Sequence, residues 1–249
     1  MVSGVFAEIQ KDGPLPLYYQ IKQMVLEAIQ KGELSPGALV PGEMEFCQRY
    51  GISRPTVRQA MSELVAEGYL ERQKGRGTFV ARPKIDARFL NKLQSFGEEM
   101  LQKGVIPSTK VLHFGYGTEK PDISAKLGLK PADVLFRLER VRSADGVPVV
   151  YVETYFPYER FRALEDVDFV KESLYNVMRS RCGADVMHAR REIEAVVANA
   201  REAYLLEIPR GSAVCLVKST GYTGQGEAVE YSIARYRGDR TKFSVELCR

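Results

Sequence analysis

The 249-residue sequence predicts an α+β protein of two domains, and three observations carry that reading. The chain is longer than the roughly 150 residues of one typical domain. Residues 17 to 65 fall into short helical stripes of apolar side chains, followed by a glycine-rich basic hairpin. Beyond residue 86 the pattern changes to alternating stretches joined by tight turns, with a few short helices between them.

The elements can be taken in order. Leu17, Ile21, Met24, Val25, Ala28 and Ile29 recur at helical spacing after Pro14 and Pro16, and Gly32 ends the pattern. Ser35-Pro36-Gly37 makes a turn and Val40-Pro41-Gly42 an extended approach to a short helix, Glu43 to Tyr50, stopped by Gly51. A third helix follows at once, with Ser53 as N-cap, Pro55 in the first turn, and Val57, Ala60, Met61, Leu64 and Val65 as its apolar stripe. Tyr69 to Gln73 and Thr78 to Ala81 read as two strands around the tip Lys74-Gly75-Arg76-Gly77. The polar, proline-containing stretch Ala81 to Asp86 is a linker, so the domains are expected at 1–82 and 83–249. In the second domain helices are expected at Ser95 to Lys103 and Ser173 to Arg181. Strands are expected at Val134 to Arg142 and Val149 to Phe156 around Asp145-Gly146, and at Val186 to Ala198, Ala213 to Thr220 and Ala228 to Tyr236. Ala125 to Pro131 faintly echoes Ala203 to Pro209, each placing a short helix and a proline before a hairpin. Chance and an old duplication both account for the echo, and duplication implies two related halves with a cleft between them.

Composition narrows the chemistry. Hydrophobic residues make up 45% and charged residues 27%, ordinary globular usage. The sequence has no run of about 18 uncharged apolar residues and its start lacks a signal-peptide layout, so a cytoplasmic protein without membrane contact is expected. Cys47, Cys182, Cys215 and Cys248 are widely spaced and the histidines are His113 and His188 alone, which argues against a metal site, a cofactor or a catalytic set. The net charge of +4 permits an acidic partner without demanding one, so any nucleic-acid binding must come from local placement.

Helix, short helix, tight turn, helix and basic hairpin is the order of a winged helix-turn-helix, whose second paired helix enters the major groove. With the Val57 to Val65 stripe facing the core, Arg54, Thr56 and Arg58 fall on the solvent side of the first turns. Arginine suits guanine O6 and N7, while a hydroxyl and first-turn amides suit phosphate. Lys74 and Arg76, beside Gly75 and Gly77, give the tip both charge and close backbone approach. Pro16 to Ile21, Gly37 to Glu43, Ser53 to Gln59 and Lys74 to Val80 resemble the N-terminal domain of the GntR family of bacterial transcription regulators. That resemblance implies double-stranded operator DNA as partner and carries the family's DNA contacts to Arg54, Thr56, Arg58, Lys74 and Gly75. Where many members have an arginine this chain has Met44, which leaves a contact from the second helix unsupported and operator preference open.

Alternation along the next strands puts Phe136, Leu138, Arg140 and Arg142 on one face and Arg137, Glu139 and Val141 on the other. A two- or four-residue loop at Asp145-Gly146 pairs Arg142 with Val149 and Arg140 with Tyr151, placing Glu153 diagonally from Arg140 on the same face. Two arginines there need an anion, since one glutamate cannot neutralise both. Glu230 and Tyr236 share a face of the last strand, and Ser173 and Ser95-Phe96-Gly97 open helices whose amides suit phosphate. Leu93 to Met100, Arg140 to Pro148, Glu153 to Pro157, Ser173 to Tyr175 and Glu230 to Arg240 resemble the UTRA effector domain of the HutC subfamily. The resemblance implies a fold similar to chorismate lyase. It also implies a small-metabolite effector held at Phe96, Arg140, Arg142, Glu153, Ser173, Glu230 and Tyr236, several members binding phosphorylated sugars.

The resulting expectation is a homodimeric transcription regulator, more a repressor than an activator. Its effector is a small anion, a phosphosugar first and a carboxylate second. A lyase-like enzyme is the reading from another class, opposed by the complete DNA-binding pattern and the lack of a nucleophile or metal set.

Overall fold

The computed structural model describes residues 6, 8–73, 75–82, 84–87, 93–117 and 121–246. The chain divides into two compact units, Met1–Pro83 and Lys84–Arg249.

In the first unit α1 (Leu17–Gln30) buries Ile21, Met24, Val25 and Ala28, the spacing of one helical face. A two-residue strand β1 (Leu39–Val40) leads to α2 (Glu43–Tyr50), which Gly51 ends in the left-handed conformation at φ 61. Helix α3 (Arg54–Ala66) starts three residues later, its N-cap Ser53 accepting a hydrogen bond from the Thr56 amide. It buries Val57, Ala60, Met61 and Leu64 against α1 and α2. Strands β2 (Leu70–Gln73) and β3 (Gly77–Val80) form the wing, and β1 joins β3 to give the order β1-β3-β2. Gly77 enters β3 at φ 121, a backbone conformation that favours glycine. Phe46 anchors α2 in the core, its ring 5.3 Å from Phe6 and 6.1 Å from Tyr50.

The second unit opens with β4 (Ile85–Asp86), paired in parallel with β11 (Thr241–Lys242), and then α4 (Phe96–Gln102). Six antiparallel strands follow: β5 (Pro107–Tyr116), β6 (Leu135–Ala144), β7 (Val147–Pro157), β8 (His188–Val197), β9 (Ala213–Tyr222) and β10 (Ala228–Arg237). Helices α5 (Pro121–Lys126), α6 (Tyr158–Phe161), α7 (Leu174–Cys182) and α8 (Ala200–Leu205) lie between them in sequence. The sheet order is β5-β6-β7-β10-β9-β8. Read from the two edges inward, β5-α5-β6-β7 and β8-α8-β9-β10 are the same unit twice, meeting at the β7–β10 pair. The echoing segments Ala125 to Pro131 and Ala203 to Pro209 sit at equivalent places in the two halves. One sheet face carries Phe136, Leu138, Phe156 and Val229 against Phe161, Leu164, Val177 and Met178 from the region of α6 and α7. The other packs Tyr151, Tyr155 and Tyr231 against side chains around α5 and α8.

The β6–β7 register corrects the pairing expected from sequence. Asp145 and Gly146 both have positive φ, 49 and 77, and form the two-residue turn that matches strand twist. Ala144 pairs Val147 and Ser143 pairs Pro148, but a bulge then slips the ladder by one, so Arg142 pairs Val150 rather than Val149 and Arg140 pairs Val152 rather than Tyr151. Glu153 therefore faces Glu139, on the opposite side of the sheet from Arg140.

Candidate functional site

Two polar surfaces stand out, one in each unit. In the first, Arg54 and Arg58 project from the exposed side of α3, with 59% and 55% of their side chains accessible. Thr56 is spoken for locally: its hydroxyl lies 2.7 Å from Ser53 Oγ within the cap. Gly75 adopts φ 75 at the wing tip, a conformation that favours glycine, and the Arg76 guanidinium lies over the Phe79 ring at 5.8 Å. Lys74 lies outside the described residues. Arg54, Arg58 and Arg76 line one groove between α3 and the wing, joined by Arg72, Glu43 and the exposed Met44. Arg72 and Glu43 were not anticipated from sequence; alternation along β2 puts Arg72 on the side of the buried Leu70, and it is the contacts with Glu43 and Ser62, made only on folding, that bring it to the groove.

The second surface is a cavity on one face of the six-stranded sheet. Arg140 and Arg142 from β6, Val152 and Thr154 from β7, Ser219 from β9, and Glu230, Ser232 and Tyr236 from β10 form its floor. Ser95, Phe96 and Glu99 border it on one side, and Ser173 and Tyr175 on another. These positions share a face because strand side chains alternate, which is why the arginine pair and the Glu230–Tyr236 pair were legible in sequence. Gly97, one residue beyond Phe96, is not part of the lining. Glu153 is corrected out of the site by the bulge. On the far face it bonds Arg137 at 3.0 Å and the Tyr155 hydroxyl at 2.8 Å, inside a network that also ties Glu139 to Tyr151 at 2.6 Å.

Electrostatically the cavity is unfinished. Arg140 is 3% exposed and donates from Nη2 to Thr154 Oγ1 at 3.4 Å, while Nε and Nη1 have no partner among the described residues. Ser219 Oγ and Gln94 Oε1, both in the lining, are buried without partners as well. Burial drives the Arg140 guanidinium well below its ordinary range and Arg142 beside it adds to the effect, with Glu230 and Tyr175 opposing. Burial also pulls Arg142, whose guanidinium lies 5.3 Å from the Phe96 ring centre, down to about 10. Glu230 is 2% exposed and accepts from the Tyr175 hydroxyl at 2.9 Å; burial raises its carboxyl, against the pull of Tyr175, Arg191 and Arg140. A Cβ on Gly221 would lie 2.9 Å from Glu230 Cγ, so a glycine on β9 makes room for this carboxylate. Tyr175 and Arg191 were missed in sequence, Arg191 because the reading assigned no face to the edge strand that carries it.

The two helix starts differ. Ser95 caps α4 through a complete capping box, its hydroxyl accepting from the Glu98 amide and its own amide donating to Glu98, so both are occupied. Ser173 makes no side-chain capping bond at the start of α7. A cation pair with unfilled donors, a buried glutamate–tyrosine pair and an open serine form a site for a small polar anion with hydroxyl or amine groups at its other end. Glu99, in the cavity wall, also pairs with Lys103 at 2.6 Å, and Lys103 donates to the Asp86 carbonyl in β4. Among the described residues there is no cluster of three His, Cys, Asp or Glu side chains that could hold a metal, and no helix is long and apolar enough to cross a membrane.

Comparison with known proteins follows the same division. Residues 17–80 match the bacterial regulatory proteins of the gntR family, and residues 102–242 match the UTRA domain. The HTH-type transcriptional repressor NagR of Bacillus subtilis is 37% identical over 94% of this chain and 96% of its own length. A histidine utilization repressor of Pseudomonas putida is 29% identical over 90% of this chain and 89% of its own. The crystal structure of PhnF from Mycobacterium smegmatis superposes with a TM-score of 0.66 at 30% identity, covering 92% of this chain and 99% of that one.

Proposed function

This chain belongs to the GntR family of bacterial regulatory proteins, in its UTRA-bearing HutC subfamily, and on that premise we propose that it is a repressor whose operator is released by a small anionic metabolite. Its relatives NagR and the histidine utilization repressor are transcriptional repressors, which makes DNA binding the shared activity and sets aside the lyase-like reading. The observation that carries the effector class is Arg140, a buried guanidinium with two N–H groups lacking partners, next to a second buried-side arginine. A phosphorylated sugar is the first choice, because two guanidinium forks and the open start of α7 match the number and geometry of phosphate oxygens. Glu230, Tyr175 and Tyr236 then meet hydroxyl or amine groups at the other end of the ligand. A carboxylate is second, and the histidine utilization repressor among the relatives favours keeping it in view.

Calorimetry with hexose 6-phosphates, the free hexoses, amino acids and dicarboxylates tests this. The phosphorylated sugars are expected to bind at least about a hundredfold more tightly than the free sugars, since the unphosphorylated forms leave Arg140 unfilled. Equal binding of both forms removes the anion site. Release also requires that the ligand bind the operator-bound protein less tightly than the free protein, by the same factor by which it weakens operator binding.

The functional unit is a cytoplasmic homodimer reading two half-sites about one helical turn apart, because a single winged helix buries too little surface to be selective. The effector unit is the natural interface: its edge strand β8 leaves Ile193 and Val197 44% and 68% exposed. Sedimentation at micromolar concentration is expected to give a dimer mass with and without DNA, and a monomer would overturn the arrangement.

A further inference from the structure

We propose that Glu43 sets the sequence discrimination of the DNA-facing surface: its single carboxylate holds Arg54, Arg58 and Arg72 in one array and lowers the surface's attraction for DNA of any sequence. The proposal rests on the reading that this surface meets DNA. Glu43 opens α2, yet its side chain is only 23% exposed and points into the groove between α3 and the wing. Its Oε2 accepts from Arg54 Nε at 3.2 Å and from Arg58 Nη2 at 3.2 Å and Nε at 3.3 Å. Its Oε1 lies 3.8 Å from Arg72 Nη2, which also donates to Ser62 Oγ at 3.1 Å. Burial pushes the carboxyl up, and the hydrogen bonds from Arg58 and Arg54 more than offset this and leave it below the ordinary carboxylate range.

Two consequences follow from this geometry. The contacts use Nε of Arg54 and the Nε–Nη2 side of Arg58. Both Nη groups of Arg54 and Nη1 of Arg58 donate no hydrogen bond to Glu43, so donors that read guanine O6 and N7 remain available. Side chains already held in place lose less freedom on meeting a base, which favours the correct site. The second consequence is charge. Three arginines and one glutamate carry two net positive charges instead of three, which weakens phosphate attraction for every sequence alike and leaves base contacts intact. The charge effect cancels in the ratio of the two affinities and shows instead in overall affinity and salt slope, so discrimination gains from the held geometry. The ordinary role of an acidic residue at this position is to complement the helix dipole, and Glu45, exposed in the same first turn and outside the array, is the internal control for it.

The experiment uses the full-length protein, a duplex that the wild type selects from a randomised pool, and a scrambled duplex of equal composition, titrated at several salt concentrations. Glu43→Gln is expected to bind the scrambled duplex about three- to tenfold more tightly, to steepen the salt slope by about one, and to lower the selected-to-scrambled ratio at least about tenfold. Glu45→Gln is expected to leave ratio and slope unchanged. Glu43→Asp keeps the charge but shortens the reach, so the slope stays as in wild type while the ratio falls. That variant carries the test if melting shows Glu43→Gln to be unfolded. Unchanged scrambled-duplex affinity and slope in Glu43→Gln, equal effects of Glu43→Gln and Glu45→Gln, or a wild-type ratio in Glu43→Asp overturns the proposal. Arg58→Ala separates the two levels: if it leaves both duplexes bound as in wild type, the surface does not meet DNA, whereas weak binding by Arg58→Ala beside a neutral Glu43→Gln removes only the role of Glu43.

Discussion

Arg140→Met is expected to abolish binding of the anionic effector while raising the melting temperature of the unliganded protein. Met keeps most of the apolar stem and removes a guanidinium that is 3% exposed with two donors unfilled. Such a charge costs stability in the empty protein, and replacing buried charge by an apolar group of similar volume is commonly worth about 1–4 kcal/mol. For a unit of this size that corresponds to a rise of roughly 3–10 °C. Glu230 is not left stranded, since its hydrogen bond comes from Tyr175 rather than from Arg140. The pH dependence has a definite sign. Burial holds Arg142 at about 10, below the range of a free guanidinium, so as pH rises from there toward that range the unfolded chain binds more protons and folding gains stability. Below about pH 10 the penalty of the buried charge is fully present, and ligand binding relieves it. Differential scanning calorimetry with and without a hexose 6-phosphate reads both effects. A variant that melts lower when empty would make Arg140 a structural residue and sink this account.

The same residue shows how far the sequence could be read. The Arg140–Arg142 pair and the Glu230–Tyr236 pair each followed from alternation along their own strand, their union in one site was implied only by the family resemblance, and all four line one cavity. The partners across the ladder did not follow. The bulge opposite Arg142 involves Val149, a residue with nothing in its chemistry to announce an extra position, and one slipped residue moved Glu153 to the far face. Strand β5 went unassigned because it is an edge strand whose alternation is broken by its own register shift between Val111 and His113. The three N-terminal helices were legible nearly to the residue, since each carries its own stop signal and stripe: Gly51 and Ser53 punctuate α2 and α3, and Val57, Ala60, Met61 and Leu64 repeat at helical spacing. What sequence could not give there was Glu43, whose partners lie on α3 and β2 and meet it only after folding. Local signals specify elements, while the chemistry of both surfaces depends on contacts between elements.

Replacing both Arg54 and Arg58 by Ala is expected to remove specific operator binding, with the single Arg58→Ala change costing about 1–3 kcal/mol, or roughly tenfold to a hundredfold in affinity. The two side chains are exposed in α3's first turns, and neither contributes to the hydrophobic core, so the fold should survive the loss. Their removal does more than delete two donors. Glu43 would keep its carboxylate with Arg72 alone, at 3.8 Å, and present a nearly bare negative charge to the phosphate backbone. The double variant should therefore lose more than the sum of its singles, because the second replacement also uncovers the repulsion that the first arginine had masked. A neutral Glu43→Gln background should restore additivity. Lys74→Ala is expected instead to weaken selected and scrambled duplexes alike and to flatten the salt slope. Anisotropy titrations of the single, double and triple variants decide the matter: a double variant that binds the selected duplex as tightly as wild type removes α3 from the interface, and strict additivity in the presence of Glu43 removes the carboxylate's part in it.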